Sequence, residues 1–116
     1  MELDQYQKYA LETRQYPEEY KIIYPALGMN GESGEVADKV KKVLRDTVVL
    51  RDSKGSVILP DNVCEELAKE VGDVLWYVAI MAYDLGYSLD EIASMNYIKL
   101  KSRKQRDTIS GSGDNR

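Results

Sequence analysis

Two pairs of acidic residues have a spacing that could bind a metal ion. Glu32 and Glu35 lie three residues apart in "GESGEV", and Glu70 and Asp73 have the same spacing in "KEVGDV". Side chains three residues apart share one face of a helix. Carboxylates that converge repel one another unless a cation joins them, and oxygen ligands suit Mg²⁺ or Mn²⁺. This spacing is equally typical of the solvated border of an amphipathic helix, so periodicity alone leaves both interpretations open.

The chain contains no histidine. This absence excludes serine-triad hydrolysis, imidazole zinc sites and histidine acid–base chemistry. Any chemistry must therefore use carboxylates, lysine, arginine, tyrosine or a hard metal ion.

Length and composition indicate one small domain. The chain has 116 residues, of which 43% are hydrophobic, and a net charge of −4 that argues against a nucleic-acid partner. Its one cysteine, Cys64, excludes an internal disulfide framework and suits a reducing cytoplasm. The N-terminus is polar, unlike a signal peptide, and the longest apolar run, 74–83, is far below the ~20 residues that span a bilayer. We expect a cytoplasmic protein that does not bind membranes.

Hydrophobic periodicity predicts an all-α domain over residues 1–106. The predicted helices are 2–15, 22–45, 62–85 and 88–106, with a short hairpin or loop insertion at 46–60. Asn62 and Ser88 each precede a glutamate by three residues and are expected to cap helices, and Gly86 is expected to end one. The Gly/Ser-rich C-terminal tail, 107–116, is expected to be flexible or organised only by a ligand.

The long second and third helices are expected to pack antiparallel. Taking about 100° per residue, each carries its acidic edge on the same side of its apolar stripe, so antiparallel packing brings both acidic pairs to one rim. Glycines at 31, 34 and 72 leave room there for a bulky ligand. The third helix is apolar all round through 74–83, which predicts a homodimer or larger homo-oligomer, with Trp76 packing at the interface.

The two motifs resemble a known family. "GESGEVADKVKK" followed by "ELAKEVGDVLWY" is similar to the MazG-like, all-α nucleoside triphosphate pyrophosphohydrolases, and the resemblance runs from "YQKYALET" to the "GSGDNR" tail. It implies a four-helix-bundle type fold, assembled as a homodimer or homotetramer. It also implies cleavage of a nucleoside triphosphate between its α- and β-phosphates, with Mg²⁺ bound by Glu32, Glu35, Glu70 and Asp73.

The resemblance also assigns roles to polar residues. Glu35 is the candidate general base. Tyr77 is expected to flank the nucleotide, with core packing as its alternative. For the lysines and the asparagine named next as substrate contacts, the alternatives are a surface lysine and a capping asparagine. The other expected substrate contacts are Lys42, Asn96 and Lys99, with Lys39, Arg103 and Arg106 as further candidates for phosphate contact. The alternatives are a sister specificity, such as phosphoribosyl-ATP hydrolysis, and a helical oligomerisation or adaptor module without catalysis.

Overall fold

Four α-helices and one small hairpin make up the structure, a computed structural model that describes all residues from 1 to 116. The elements in chain order are α1 (Leu3–Glu12), a 3₁₀ turn (Glu18–Tyr20), α2 (Ile23–Asp46), β1 (Leu50–Arg51), β2 (Val57–Ile58), α3 (Asp61–Asp84) and α4 (Leu89–Gln105). The helical fold class is confirmed, and α1 ends three residues earlier than predicted. No helix is long and apolar enough to cross a membrane.

The two longest helices pack side by side in opposite directions. The start of α2 lies beside the end of α3, where Gly28 contacts the ring of Tyr77. Further along α2, Lys39 approaches Glu66, in the first turns of α3. The start of α2 thus contacts the end of α3, and a later part of α2 contacts the start of α3. The two helices are therefore antiparallel, as the acidic-edge argument required.

A two-stranded hairpin connects α2 to α3. Leu50 pairs with Ile58 in antiparallel register. Its turn is organised by the Asp52 carboxylate, which accepts hydrogen bonds from the backbone N–H groups of Lys54 (2.8 Å) and Ser56 (3.0 Å). Of the two structures expected for 46–60, the protein adopts the hairpin.

Two of the three residues predicted to begin or end a helix do so in the structure. Ser88 forms a complete capping box with Glu91 at the start of α4. Gly86 follows α3 with φ of +86°, a left-handed conformation that glycine adopts without strain. The prediction for Asn62 was wrong, because α3 begins at Asp61 after Pro60 and has no side-chain cap. Pro60 is itself the N-cap residue, and its ring fixes φ, here −57°, without supplying a side-chain cap.

A small buried core joins α1 to the junction of α3 and α4. Its centre is one buried glutamine: the Gln7 amide donates to the carbonyls of Ala79 (3.0 Å) and Tyr87 (3.1 Å). The Gln7 carbonyl in turn accepts the backbone N–H of Leu89 at 3.1 Å. Trp76 also packs against this core and donates to the Thr13 hydroxyl at 2.7 Å. The indole expected at a subunit interface is therefore engaged within its own chain.

Asp84 anchors the connection between α1 and α2. Its side chain is fully buried beside Arg14, which donates to it at 3.2 Å. The same carboxylate accepts the Tyr16 hydroxyl at 2.6 Å and the Ile22 backbone N–H at 3.0 Å. Ile22 has φ of +67°, which is unfavourable for a β-branched residue. Asp84 therefore stabilises the strained turn from which α2 starts.

The single chain leaves an unusually large surface exposed. Its accessible surface is 8604 Å², against about 6,400 Å² for a compact monomer of this mass. Its radius of gyration is 17.5 Å, against about 13 Å for a compact domain of this length. Large apolar side chains remain exposed on both α3 and α4, among them Val71, Leu75 and Ile98.

Candidate metal and nucleotide site

Three of the four predicted metal ligands meet between α2 and α3. Carboxylate oxygens of Glu32, Glu70 and Asp73 all lie within 4.8 Å of one another. We call these residues the acidic trio. Glu32 comes from α2, the other two come from α3, and the antiparallel packing of the helices joins them.

The charge of the acidic trio is poorly compensated. The pKa of Glu32 is raised, first by burial and then by the negative charges of Asp73, Glu70 and Glu35. The nearest cation is Lys39, whose Nζ lies 3.4 Å from Glu70 Oε1 and 3.8 Å from Glu66 Oε2. A raised carboxylate pKa means that the folded protein disfavours this concentration of negative charge.

The trio fits a hard divalent cation. Mg²⁺ binds oxygens at about 2.1 Å, so opposite ligands in its octahedron are about 4.2 Å apart. The observed spread of up to 4.8 Å needs only small side-chain rotations to reach that value. Oxygen-only ligands without histidine or cysteine also match this class of ion.

Glu35 lies beside the trio but outside it. Its side chain is exposed, and its carboxylate is not among the oxygens that converge within 4.8 Å. It follows Glu32 by one turn of α2, and its charge is the last of the contributions that raise the pKa of Glu32. The fourth predicted ligand is thus a neighbouring carboxylate that the structure leaves unengaged.

Tyr77 packs one turn beyond Asp73, against the backbone of α2. A Cβ added to Gly28 would lie only 2.1 Å from the Tyr77 ring. The ring also stands at 87° to Trp76, with centroids 4.8 Å apart, and 6.4 Å from the ring of Tyr24. Burial raises the Tyr77 pKa, and the charges of Glu32 and Asp73 add to the effect. Tyr77 is therefore next to the trio, in close contact with Gly28.

Tyr6 of α1 is within electrostatic range of Asp73, which the sequence analysis did not anticipate. The pKa of Tyr6 is raised by burial and then by the negative charge of Asp73. Tyr6 is one of nine tyrosines and has no local motif that marks it. Gly28 was missed as well, although a small residue one turn before Glu32 was a usable signal for close helix packing.

The predicted phosphate contacts on α2 point in different directions. Lys39 faces the trio, as described above. Lys42 is 55% exposed and pairs at 2.5 Å with Asp38, which also binds Lys41. These two lysines lower the pKa of Asp38 to about 2. Lys42 therefore has a carboxylate partner on its own helix and no ion pair with the trio.

The predicted contacts on α4 are engaged by the C-terminal tail. Lys99 Nζ lies 2.8 Å from Asp114 Oδ1, and the buried Arg103 donates to the Asp114 carbonyl at 2.7 Å. Arg106 donates to the Arg116 carbonyl at 2.8 Å. In the structure the arginines of α4 hold the tail, whereas the sequence analysis expected it to be flexible or organised only by a ligand. No hydrogen bond or ion pair joins these cations to the trio.

Asn96 is exposed at the edge of the same region. It lines a cavity of about 260 Å³ together with Lys99 and Asp114. The expected pair of polar side chains on α4, Asn96 and Lys99, thus shares one cavity, and a tail carboxylate enters it.

Comparisons with known proteins cover this helical frame. The MazG nucleotide pyrophosphohydrolase domain matches residues 25–107, which include the trio and the cations of α4 but not the end of the tail. The gene 37 protein of Mycobacterium phage L5 is 43% identical over 122 aligned positions that cover 100% of both chains. No solved structure matches the chain. The chain belongs to the MazG nucleotide pyrophosphohydrolase family, whose members are hydrolases that act on nucleoside triphosphates and are generally metal-dependent.

Proposed function

We propose that the protein is a Mg²⁺-dependent nucleoside triphosphate pyrophosphohydrolase. It cleaves between the α- and β-phosphates, releases a nucleoside monophosphate and pyrophosphate, and serves to clear nucleotides from the cellular pool. The observation that supports this proposal best is the acidic trio, contributed by two helices and short of compensating positive charge.

The trio would bind the metal ion, and Mn²⁺ would be a substitute. When bound, a divalent cation offsets the charge of phosphate oxygens and lowers the pKa of a coordinated water. Family membership and the oxygen-only donor set both support this assignment.

Residues of the chain supply the remaining functions. Glu35 is close to the trio and outside it, so it is available to accept the proton of the attacking water. Lys39 Nζ lies 3.4 Å from Glu70, and if Glu70 held a cation, this lysine would be free to contact a phosphate oxygen. The water oxygen bonds to one of the two phosphorus atoms joined by the α–β bridge, and the bond from that phosphorus to the bridging oxygen breaks.

Surface area supports a homodimer or homotetramer. The excess of about 2,200 Å² over a compact monomer is comparable with what one subunit buries in an obligate assembly. A second copy that covers Val71 and Leu75 of α3 would complete the bundle that one chain leaves open. Sedimentation over a range of protein concentrations tests this proposal, and a monomer at all concentrations would contradict it.

A panel of nucleoside triphosphates tests the reaction. With Mg²⁺ present, we expect monophosphate and pyrophosphate in equal amounts from at least one nucleotide. Orthophosphate as the first product would reject cleavage at the α–β bridge. Turnover of phosphoribosyl-ATP alone would instead assign the sister specificity. No turnover with either Mg²⁺ or Mn²⁺ would favour a non-catalytic adaptor.

A matched pair of variants tests the metal site. Glu70→Gln removes one charge from the trio and should abolish turnover while the protein remains folded. Glu65→Gln is the control, because Glu65 is on the same helix, is 71% exposed and pairs only with Lys69. Equal activity of the two variants would remove Glu70 from the catalytic site.

A further inference from the structure

The C-terminal tail folds back along α4 through three arginines. Arg103 is only 5% exposed and donates to the carbonyls of Gly113 and Asp114. Arg106 donates to the last carbonyl of the chain, and Arg116 donates to the Gly113 carbonyl at 2.7 Å. The tail thus has a defined path that ends beside α4.

This path places a carboxylate on the two cations expected to contact substrate phosphates. Asp114 Oδ1 lies 2.8 Å from Lys99 Nζ and 3.4 Å from Arg103 Nη2. Both cations lower the Asp114 pKa, Lys99 more than Arg103, so the group remains ionised. A phosphate oxygen that bound Lys99 and Arg103 would have to occupy the same position.

The arrangement is suited to exchange. The Asp114 side chain is 78% exposed, and exposed ion pairs contribute little to stability. The Arg103 side chain, in contrast, is 7% exposed, and its Nε is buried without a hydrogen-bond partner. Arg103 is therefore a fixed, buried cation with an unused N–H donor, and its partner Asp114 is exposed. A more highly charged anion can replace Asp114 beside it.

We infer that Asp114 is an internal competitor that occupies a phosphate subsite on α4, and that a substrate polyphosphate must displace it. The identity of the displacing ligand as a nucleoside triphosphate rests on the proposed function. The contact is therefore autoinhibitory: it lowers the affinity of the resting protein for polyphosphate, and the tail leaves Lys99 when the ligand binds.

Inorganic tripolyphosphate is a suitable probe, because its binding requires neither a base nor turnover. Its affinity is measured by calorimetry on the full-length chain without divalent metal, at low and high salt. Asp114→Asn should bind it roughly three- to tenfold more tightly, the effect of removing one negative charge at ion-pair distance from a surface site. High salt should reduce the difference.

Asp107→Asn is the matched control. It removes the same charge from the same tail, where Asp107 makes no ion pair, and asparagine tolerates its φ of +54°. Tightening by Asp114→Asn and not by Asp107→Asn supports the inference. Unchanged or weaker binding by Asp114→Asn overturns it, and so does equal tightening by both variants.

Two further measurements locate the effect. In a Lys99→Met background, Asp114→Asn should tighten binding less, because only the pairing of Asp114 with Arg103 remains there, and a full effect would overturn the assignment to this subsite. In the unmodified protein, tripolyphosphate should accelerate amide hydrogen exchange in 108–116, whereas unchanged exchange would contradict displacement. If these results hold and no nucleotide is hydrolysed, the proposed function fails and the anion subsite stands. If nucleotides are hydrolysed and Asp114→Asn has no effect, only the inference fails.

Discussion

Gly28 should be the one glycine of α2 that packing requires. Gly28→Ala would place a methyl group 2.1 Å from the Tyr77 ring, whereas non-bonded carbon atoms rest at about 3.5–4 Å. The ring must therefore move by more than 1 Å, against neighbours that include Trp76 and Tyr24. Because Tyr77 lies beside the trio, its displacement would also disturb that site.

The expected loss follows from two opposing effects. Overpacking costs typically 1–3 kcal/mol, and a ring this close belongs at the upper end. Alanine recovers about 1 kcal/mol of helix propensity relative to glycine. The free energy of unfolding should therefore fall by about 2 kcal/mol. Gly31→Ala is the control, because no atom lies within 4 Å of an added Cβ there, and it should gain up to about 1 kcal/mol.

Urea denaturation at one protein concentration measures both variants. The two transitions should be separated by about 3 kcal/mol, with Gly28→Ala below the unmodified protein and Gly31→Ala above it. If Gly28→Ala is as stable as the unmodified protein, the contact with Tyr77 does not constrain the packing of α2 on α3. If Gly31→Ala is destabilised equally, the open space beside Gly31 is filled in the assembled protein.

Three other outcomes are expected. The pKa of Glu32 is raised in the folded protein, so this residue contributes stability below about pH 4.5, and that contribution is lost as the pH rises through the higher folded pKa. Urea denaturation in EDTA should therefore show a free energy of unfolding that falls from pH 4 to pH 7, and Glu32→Gln should lack this fall. Asp84→Asn should cost about 2–3 kcal/mol in thermal melts, because it removes the buried charge that pairs with Arg14 and replaces one of the two acceptor oxygens by an NH₂ donor; this value is discounted because Arg14 is 23% exposed. Glu18→Gln, at the 70% exposed partner of Arg14, should stay within about 0.5 kcal/mol in the same melts. If the space beside Gly31 admits substrate, Gly31→Ala should raise KM while increasing stability, and unchanged kinetics would contradict that use of the space.

Local patterns predicted much of the helical frame. Apolar periodicity placed α2 and α3 within a residue of their observed ends, because burial of one face repeats every turn. Ser88 and Gly86 were readable because capping depends on residues only a few positions apart. Asn62 had the same local pattern and failed, because the preceding Pro60 had already set the start of the helix.

The sequence predicted the side of the helix pair on which the candidate site lies, but not which carboxylates form it. Helical geometry placed both acidic pairs on one side, but it does not resolve which oxygens converge. The structure brings Glu32 to Glu70 and Asp73 and leaves Glu35 aside. It also brings Tyr6 of α1 within electrostatic range of Asp73, a residue too distant in the chain for any local pattern to relate the two.

The sequence by itself determined the helical class, the antiparallel relation of α2 to α3 and the chemistry open to a chain without histidine. Only the tertiary structure decided that Asp84 accepts a hydrogen bond at the start of α2 and that Asp114 forms ion pairs with the cations of α4. The physical reason is the range of the interactions. Periodicity and capping act over one or two turns, whereas a buried carboxylate selects its donors by position in space, here a backbone N–H that lies 62 residues away in the chain.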